Sequence, residues 1–510
     1  MIRTAVLLVV LAGSVVGFAS GNDWGYAAPE DHGIDAARLE RMRDVIDALD
    51  LPIDSVVVVR HGEIVFEDYP DPRIYSERLL HNLYSVTKSV TSILIGIAIG
   101  EGTIGSVDER VVDFFGDREI AHLDERKRRM TVEDLLTMRS GLSWIGPDDM
   151  HHSWGDGLRS GDPVQYALDR PMVHEPGSVW YYNGGCSHLL SAILTEATGM
   201  STLAFANESL FGPLGIDRVR WPQDPNGIYF GGQDIWLTPH GMAKLGQLYL
   251  NDGVWNGEQI VPADWIADST RSSASTWSGE GYGYQWWLFP ESGIFHAAGA
   301  FEQRIYGIPD LDMVVVMTAR NWPKGIDPSE RAEGPATVEW LLGSFILPAC
   351  KDYTEVPFAD FGFELEIPRL TSPWIEGWAG SARASESAGL ITFRYAGSPY
   401  ERVGVQWTTD GRRPAQTALA SFVEGLREEG VGLETAGPPI EAEIGRRKVL
   451  QQSVDVTTED AVLSVRLAVL PCDGTGRTFV FFHSVAAEIA AWVDPDGALG
   501  RLIEGFTCSD

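Results

Sequence analysis

Apolar residues recur at helical spacing between Ile34 and Leu49 (Leu39, Met42, Val45, Ile46), which predicts an amphipathic helix. Two β-rich runs follow, Asp54 to Arg60 and Glu63 to Tyr69, and His61-Gly62 between them reads as a hairpin turn. A second helix is expected from about Ser85 to Ile99. The stretch from about 105 to 265 is helix- and loop-rich, with Thr131 placed as the cap of a helix start. Strand patterns return over Tyr282–Phe289, Gly293–Ala297, Gln303–Ile308 and Met313–Ala319, and a helix is expected from Ser329 to Leu347. Helix and strands, a helical block, then strands and a helix describe one architecture. It is an antiparallel sheet completed by both ends of the domain, with an α-helical insertion between them.

The pattern changes after Pro348-Ala349-Cys350. Residues 355–510 alternate β-rich runs (Ile391–Tyr395, Val403–Thr408, Val462–Leu470, Thr478–Phe482) with one clear helix, Ala415 to Glu429. This reads as a separate C-terminal α+β domain without a catalytic constellation. A chain of 510 residues fits two domains better than one. At the other end a basic start, an apolar run from Thr4 to Val16 and the small residues up to Gly21 describe a secretory signal peptide over residues 1–21. That run is too short for a comfortable membrane span, and no later segment approaches one. The expected location is therefore exported, periplasmic or extracellular, with no integral membrane domain after signal removal.

Composition narrows the function classes. Apolar residues make up 44% of the chain, and 17 tryptophans and 20 phenylalanines can fill a large core. The formal charge of −33, from 72 acids against 39 bases, repels phosphate backbones and argues against nucleic-acid binding. A surface this acidic also suits high salt, where screening weakens self-repulsion. Of the four cysteines, Cys186 lies in an apolar helical stretch and reads as a buried free thiol. One bridge is expected among Cys350, Cys472 and Cys508, with Cys472–Cys508 the preferred pair. No Cys-x-x-Cys pair supports a zinc or thioredoxin-type site. His151-His152 with Asp148, Asp149 and Asp156 could suggest a metal, but the Pro, Gly and Trp around them favour a rim loop.

Chemistry concentrates in Leu83-Tyr84-Ser85-Val86-Thr87-Lys88. Ser85 and Lys88 are three apart at a helix start, so both side chains share one face. A hydroxyl is a weak nucleophile and needs a nearby base. A lysine amine can serve if burial and neighbouring charge depress its pKa. A helix N-terminus would also aim backbone N–H groups at an oxyanion beside Ser85. Ser-x-x-Lys alone is weak, because it arises often by chance.

Three further landmarks come after it in order. They are Leu135-Leu136-Thr137-Met138-Arg139-Ser140-Gly141-Leu142, then Pro176-Gly177 leading to Tyr181-Tyr182-Asn183-Gly184 and Leu189-Leu190, and then Phe295-His296-Ala297-Ala298-Gly299-Ala300. With them the stretch from about 30 to 345 resembles the serine β-lactamase and penicillin-binding-protein superfamily, specifically its class C β-lactamase-related esterase and peptidase branch. The resemblance implies a β-lactamase-like fold over 28–348: an α/β (α+β) domain whose antiparallel sheet is flanked by helices. It also implies a tyrosine that relays a proton to the leaving group. Tyr181 satisfies the branch's Tyr-x-Asn with Asn183. The spacing from Pro176-Gly177 and to Leu189-Leu190 favours Tyr182, with Gly184 where the asparagine usually lies.

The branch's Lys-Thr-Gly or His-x-Gly strand corresponds to Ala297-Ala298-Gly299, which displaces His296 by one residue and onto the opposite strand face. His296 is a candidate substrate-side residue, and the Ala300 N–H is the expected second oxyanion donor beside Gly299. The resemblance further implies acyl transfer by Ser85, Lys88 and Tyr182 without metal or organic cofactor. The missing lysine and the altered Tyr-x-Asn favour a small ester or amide as substrate. The alternatives are a D-alanyl-type peptidase acting on a peptide or cell-wall fragment, a β-lactamase, or an inactive binding or sensor module.

Overall fold

The computed structural model describes residues 24–144, 156–320 and 337–510, apart from residue 291 and several connecting segments after residue 351. The proposed signal peptide, His151 and His152 lie outside the described residues. Among the described residues, nine strands form the first sheet. They are β1 (Gly25–Tyr26), β2 (Ile53–Arg60), β3 (Glu63–Asp68), β4 (Ala274–Ser275), β5 (Gly281–Tyr282), β6 (Trp287–Phe289), β7 (Ile294–Gly299), β8 (Gln303–Ile308) and β9 (Met313–Ala319). Their spatial order is β1-β3-β2-β9-β8-β7-β6-β5-β4. All neighbours are antiparallel except β1 against β3.

Both ends of the domain do complete the sheet, as the order of elements implies. Met313 to Ala319 pair with Arg60 to Ile53 at its centre. The β2–β3 turn is two residues long, with His61 (φ 52°) and Gly62 (φ 78°) both left-handed, which suits the right-handed twist of a hairpin.

Strand β2 is buried on both faces. Val57 and Val59 enter the core shared with the helical block, and Val56 and Val58 the core on the other side. Helix α1 (Ala36–Ala48) covers that second face with Leu39, Met42, Val45 and Ile46, beside a helical segment of residues 337–349. The expected helix from Ser329 is thus seen from Thr337 onward, because residues 321–336 are not described.

On the first face lie α2 (Val86–Gly100), α3 (Val132–Leu136), α4 (Gly184–Thr198) and α5 (Pro239–Leu250). Helix α2 is buried from Val86 to Ala98, so it is apolar nearly all round and runs through the core. A capping box starts α3: Thr131 accepts from the Asp134 N–H, and the Asp134 carboxylate accepts from the Thr131 N–H. Such caps contribute about 1 kcal/mol each. No single helix among the described residues is long and apolar enough to cross a membrane.

One strand expectation needs correction. Tyr282–Phe289 is not continuous: Gln285 takes φ 63° and splits it into β5 and β6. The reason is tertiary, since Gln285 turns inward to bond with three helices.

The C-terminal part holds strands Ala388–Tyr395, Arg402–Thr408, Val462–Cys472 and Arg477–Ala486 and helix α6 (Ala415–Glu428), close to the predicted elements. They belong to an eight-stranded antiparallel sheet, against which α6 buries Leu419, Phe422 and Val423. Cys186 is a buried free thiol, and Cys350 is buried as well. The Cys472–Cys508 pairing falls on side chains outside those described.

Candidate active site

Ser85 is presented by a strained turn between a short strand and α2. His81–Asn82 pairs with Trp236–Leu237, and the Leu83 N–H donates to the Ile235 carbonyl at 2.8 Å. Tyr84 then adopts φ 45°, a left-handed conformation that costs a bulky residue about 1–3 kcal/mol. Its surroundings hold it there. The Tyr84 N–H donates to Asn82 Oδ1 at 3.0 Å, its carbonyl accepts from Thr87 Oγ1 at 2.5 Å, and its ring lies 5.0 Å from that of Phe301. Ser85 occupies the N-cap of α2.

Lys88 lies one turn along α2 and is only 5% exposed. Its Nζ donates to Ser85 Oγ at 3.0 Å and to the Gly232 carbonyl at 2.6 Å. The Tyr182 ring centroid is 4.8 Å from the same nitrogen. None of these partners is a carboxylate. The Phe230-Gly231-Gly232 segment reaches Lys88 by threading between α2 and α4. The Gly231 carbonyl accepts from Thr91 Oγ1 at 2.8 Å, and a Cβ on Gly231 would stand 2.0 Å from the Ser187 carbonyl oxygen. These glycines escaped the sequence reading, where their only signal is a Gly-Gly pair in a loop.

That loop is anchored by a buried pair, His188 Nε2 with Asp224 Oδ2 at 3.0 Å. Asp224 also accepts from the Asn226 and Ile228 N–H groups at 2.8 and 2.9 Å. Burial opposes ionisation of its carboxyl, but His188 and these donors outweigh it and hold the pKa below the usual value.

The two candidate tyrosines separate by geometry. The Tyr182 ring faces Lys88. Tyr181 is tied to the preceding landmark instead, its N–H donating to the Met138 carbonyl at 2.8 Å. Asn183 is held by the helix that follows. Its Oδ1 accepts from the Gly185 N–H at 2.8 Å as the cap of α4, and its own N–H points at Met138 Sδ. Met138 belongs to the Leu135–Leu142 landmark, which therefore acts as a brace. Met138 (φ 56°) takes the Tyr181 and Asn183 N–H groups, and the Arg139 carbonyl takes that of Gly177 at 2.8 Å.

Gln285 ties the helices together. Its Oε1 accepts from Ser187 Oγ at 2.7 Å, its Nε2 donates to the Leu135 carbonyl at 3.0 Å, and its own carbonyl accepts from Ser89 Oγ at 2.7 Å.

Strand β7 ends at the turn before Ser85. A Cβ on Gly299 would lie 2.2 Å from the Leu83 carbonyl oxygen, so only glycine lets the strand end approach the turn before Ser85. Ala300 comes directly after it. His296, the candidate substrate-side residue, is turned elsewhere: it is 2% exposed and its Nε2 meets Glu280 Oε1 at 2.9 Å. Its ring stacks between those of Phe289 (4.9 Å) and Tyr306 (5.4 Å). The one-residue displacement accounts for this, because alternate residues of a strand point to opposite faces. Burial disfavours the Glu280 carboxylate, yet His296 holds its pKa below the usual range. No cluster of metal-ligating side chains occurs among the described residues.

Known proteins resemble this chain in sequence and fold. A family model described as Beta-lactamase covers residues 40–334. The chain belongs to the beta-lactamase family. A 6-aminohexanoate-dimer hydrolase of Paenarthrobacter ureafaciens is 24% identical over 303 residues, which is 54% of this chain and 74% of that protein. Monacolin J acid methylbutanoyltransferase of Aspergillus terreus is 30% identical over 149 residues, 26% of this chain and 36% of the other. Among solved structures, a Bacillus anthracis protein assigned as a 6-aminohexanoate-dimer hydrolase superposes with a TM-score of 0.51 at 22% identity, covering 60% of this chain and 84% of that one. This family membership agrees with the resemblance carried by the four sequence landmarks.

Proposed function

We propose that the protein is a serine hydrolase that forms an acyl enzyme on Ser85 from a small ester or amide. The observation that carries this reading is the Lys88 Nζ to Ser85 Oγ contact at 3.0 Å, with the Tyr182 ring against the same nitrogen. In this mechanism the Lys88 amine takes the Ser85 proton as Oγ attacks the substrate carbonyl carbon. The N–H groups of Ser85 and Ala300 hold the resulting oxyanion. The bond to the leaving group then breaks, and the proton held on Lys88 reaches the leaving oxygen or nitrogen by way of the Tyr182 hydroxyl. Water attacks the acyl-Ser85 carbonyl in turn, releasing the acid and restoring the hydroxyl.

A small ester or amide fits better than a β-lactam for two reasons. The strand ending at Gly299 carries no lysine, and Gly184 stands where an amide-binding asparagine is expected. The relatives named as a 6-aminohexanoate-dimer hydrolase and a methylbutanoyltransferase are consistent with such an acyl donor. Export of the mature chain after removal of residues 1–21 is part of the proposal, and N-terminal sequencing of the protein recovered from a producing cell checks it.

Purified protein should be labelled by a fluorophosphonate and should hydrolyse nitrophenyl acyl esters, with both signals lost in Ser85→Ala and turnover lost in Lys88→Ala. Absence of labelling and turnover in the native protein would overturn the reading in favour of a binding module.

A further inference from the structure

Trp277 is 64% exposed, unusual for so large an apolar side chain, and it sits at the tip of the hairpin between β4 and β5. Its exposure is not isolated. Its ring meets Trp180 at 4.8 Å, Trp287 at 6.1 Å and Tyr182 at 6.2 Å, all edge-to-face. Tyr282 backs this layer, 5.5 Å from Trp180 and 5.1 Å from Trp287. A continuous aromatic surface therefore runs from Tyr182, whose ring lies against Lys88 Nζ, out to the solvent at Trp277.

The hairpin that carries Trp277 is pinned. Gly279 takes φ 83°, and the Thr276 N–H donates to the Glu280 carbonyl at 2.9 Å, closing the turn. Ser278 Oγ donates to Glu280 Oε2 at 2.6 Å, while Glu280 Oε1 holds the buried His296 Nε2 at 2.9 Å. The buried His296–Glu280 pair thus fastens the exposed tryptophan to strand β7. A ring held this way loses little rotamer freedom when a ligand covers it, so contact with it is converted efficiently into affinity.

The geometry points to this wall as an apolar subsite of the Ser85 centre: the preferred substrate carries an aromatic or extended apolar group beside its scissile carbonyl, laid against Trp277 and Trp180. This deepens the serine hydrolase reading and rests on it. The rings touch one another edge-to-face rather than standing apart around a gap, so the surface suits a flat or extended apolar group better than an enclosed ammonium ion.

The test measures proton release by the full-length protein in a pH-stat with two ester series. One varies the acid (methyl acetate, methyl octanoate, methyl phenylacetate), and the other varies the alcohol (methyl acetate, butyl acetate, benzyl acetate). For Trp277→Ala, kcat/KM on methyl acetate should stay within about twofold, while esters with the apolar group on the correct side should lose about tenfold, mostly through KM. Trp277→Phe should recover most of that loss, and Trp180→Ala should show the same substrate pattern. Loss confined to the first series places the wall on the acyl side, and loss confined to the second places it on the leaving-group side; either supports the subsite. An equal loss on every ester, or no loss on any, overturns it. Fluorophosphonate labelling separates the two levels. A labelled Trp277→Ala protein without chain-dependent loss removes only the wall, whereas an unlabelled native protein removes the serine hydrolase reading beneath it.

Discussion

Gly231→Ala perturbs the proposed general base without touching it. The added Cβ would stand 2.0 Å from the Ser187 carbonyl oxygen and 2.8 Å from Ser191 Cβ. Ordinary contact begins at 3.4 Å, so the loop must retreat by 3.4 − 2.0 = 1.4 Å if α4 stays fixed. The next residue, Gly232, accepts from Lys88 Nζ at 2.6 Å, and the full shift would lengthen that contact to 2.6 + 1.4 = 4.0 Å, beyond hydrogen-bond reach. A hydrogen bond of this kind contributes about 0.5–1.5 kcal/mol. Lys88 would then keep Ser85 as its hydrogen-bond partner and lose the contact that fixes its orientation, and a displacement of this size near reacting atoms costs about 100-fold in rate.

The expected result is a kcat on a nitrophenyl ester lowered by about 10–100-fold, with KM little changed, and a protein destabilised by about 1–3 kcal/mol from overpacking. Stability is read from urea unfolding, so a folded fraction can be assigned to each activity value. Thr91→Val supplies a milder version, deleting only the hydroxyl that holds the Gly231 carbonyl, and should lower kcat less. Gly102→Ala is the control: its φ of 74° strains a side chain, but nothing lies within 4 Å, so it should cost stability alone. Gly231→Ala with native kcat in a fully folded protein would refute the assignment of the Gly232 carbonyl as a positioning group for Lys88.

Three further outcomes are expected. Tyr182→Phe should lower kcat on amide or poor-leaving-group substrates by about 100-fold while Tyr181→Phe changes it less than about fivefold, as steady-state kinetics of the two variants would show. Gln285→Leu takes the acceptor from the buried Ser187 hydroxyl and one of two donors from the Leu135 carbonyl, which keeps the Met138 N–H at 3.2 Å, and should destabilise the protein by about 2 kcal/mol in denaturant melts. Burial pushes the His81 imidazole from its ordinary 6.5 down to about 4, and its nitrogen is 3.8 Å from Asp54, too far for a hydrogen bond. Its folded pKa is depressed, so the contribution is complete above pH 6.5 and is lost as the pH falls through 4. That loss is roughly 3 kcal/mol at about 1.4 kcal/mol per unit. Melting curves of the native protein and His81→Gln across this range should converge on the acid side, and parallel curves would refute the account.

Local patterning carried much of this fold. The valines of β2, the capped start at Thr131 and the apolar run of α2 each pair a hydrophobic period with a boundary residue, so their element types were readable. The Ser85/Lys88 pair was legible for the same reason, since both residues sit on one short helix. What sequence spacing missed is what depends on chain crossings. Gln285 sits in a run of strand-forming residues, yet bonds to partners near 135 and 187 pull its backbone into a left-handed turn. Gly231 and Gly232 meet α2 only through contacts some 140 residues away in the chain. His296 was offered to the site on a registry argument with the opposite-face rule already weighing against it, and that rule describes where it lies. Asn183, read as part of the Tyr-x-Asn landmark, also caps α4.

The pairing of β2 with β9 sets a timetable for the molecule. Arg60 meets Met313 and Val56 meets Met317 at the centre of the sheet, so strand β2 waits for residues made more than 250 positions later. Contacts this distant in sequence must overcome a large loop-closure cost and form slowly. A ribosome-bound chain that has not yet released Gly299 and Ala300 lacks the strand end that closes on Leu83, and carries Ser85 only as an unassembled hydroxyl. The domain's topology therefore withholds the proposed Ser85 centre from the nascent chain until almost all of the domain has been synthesised.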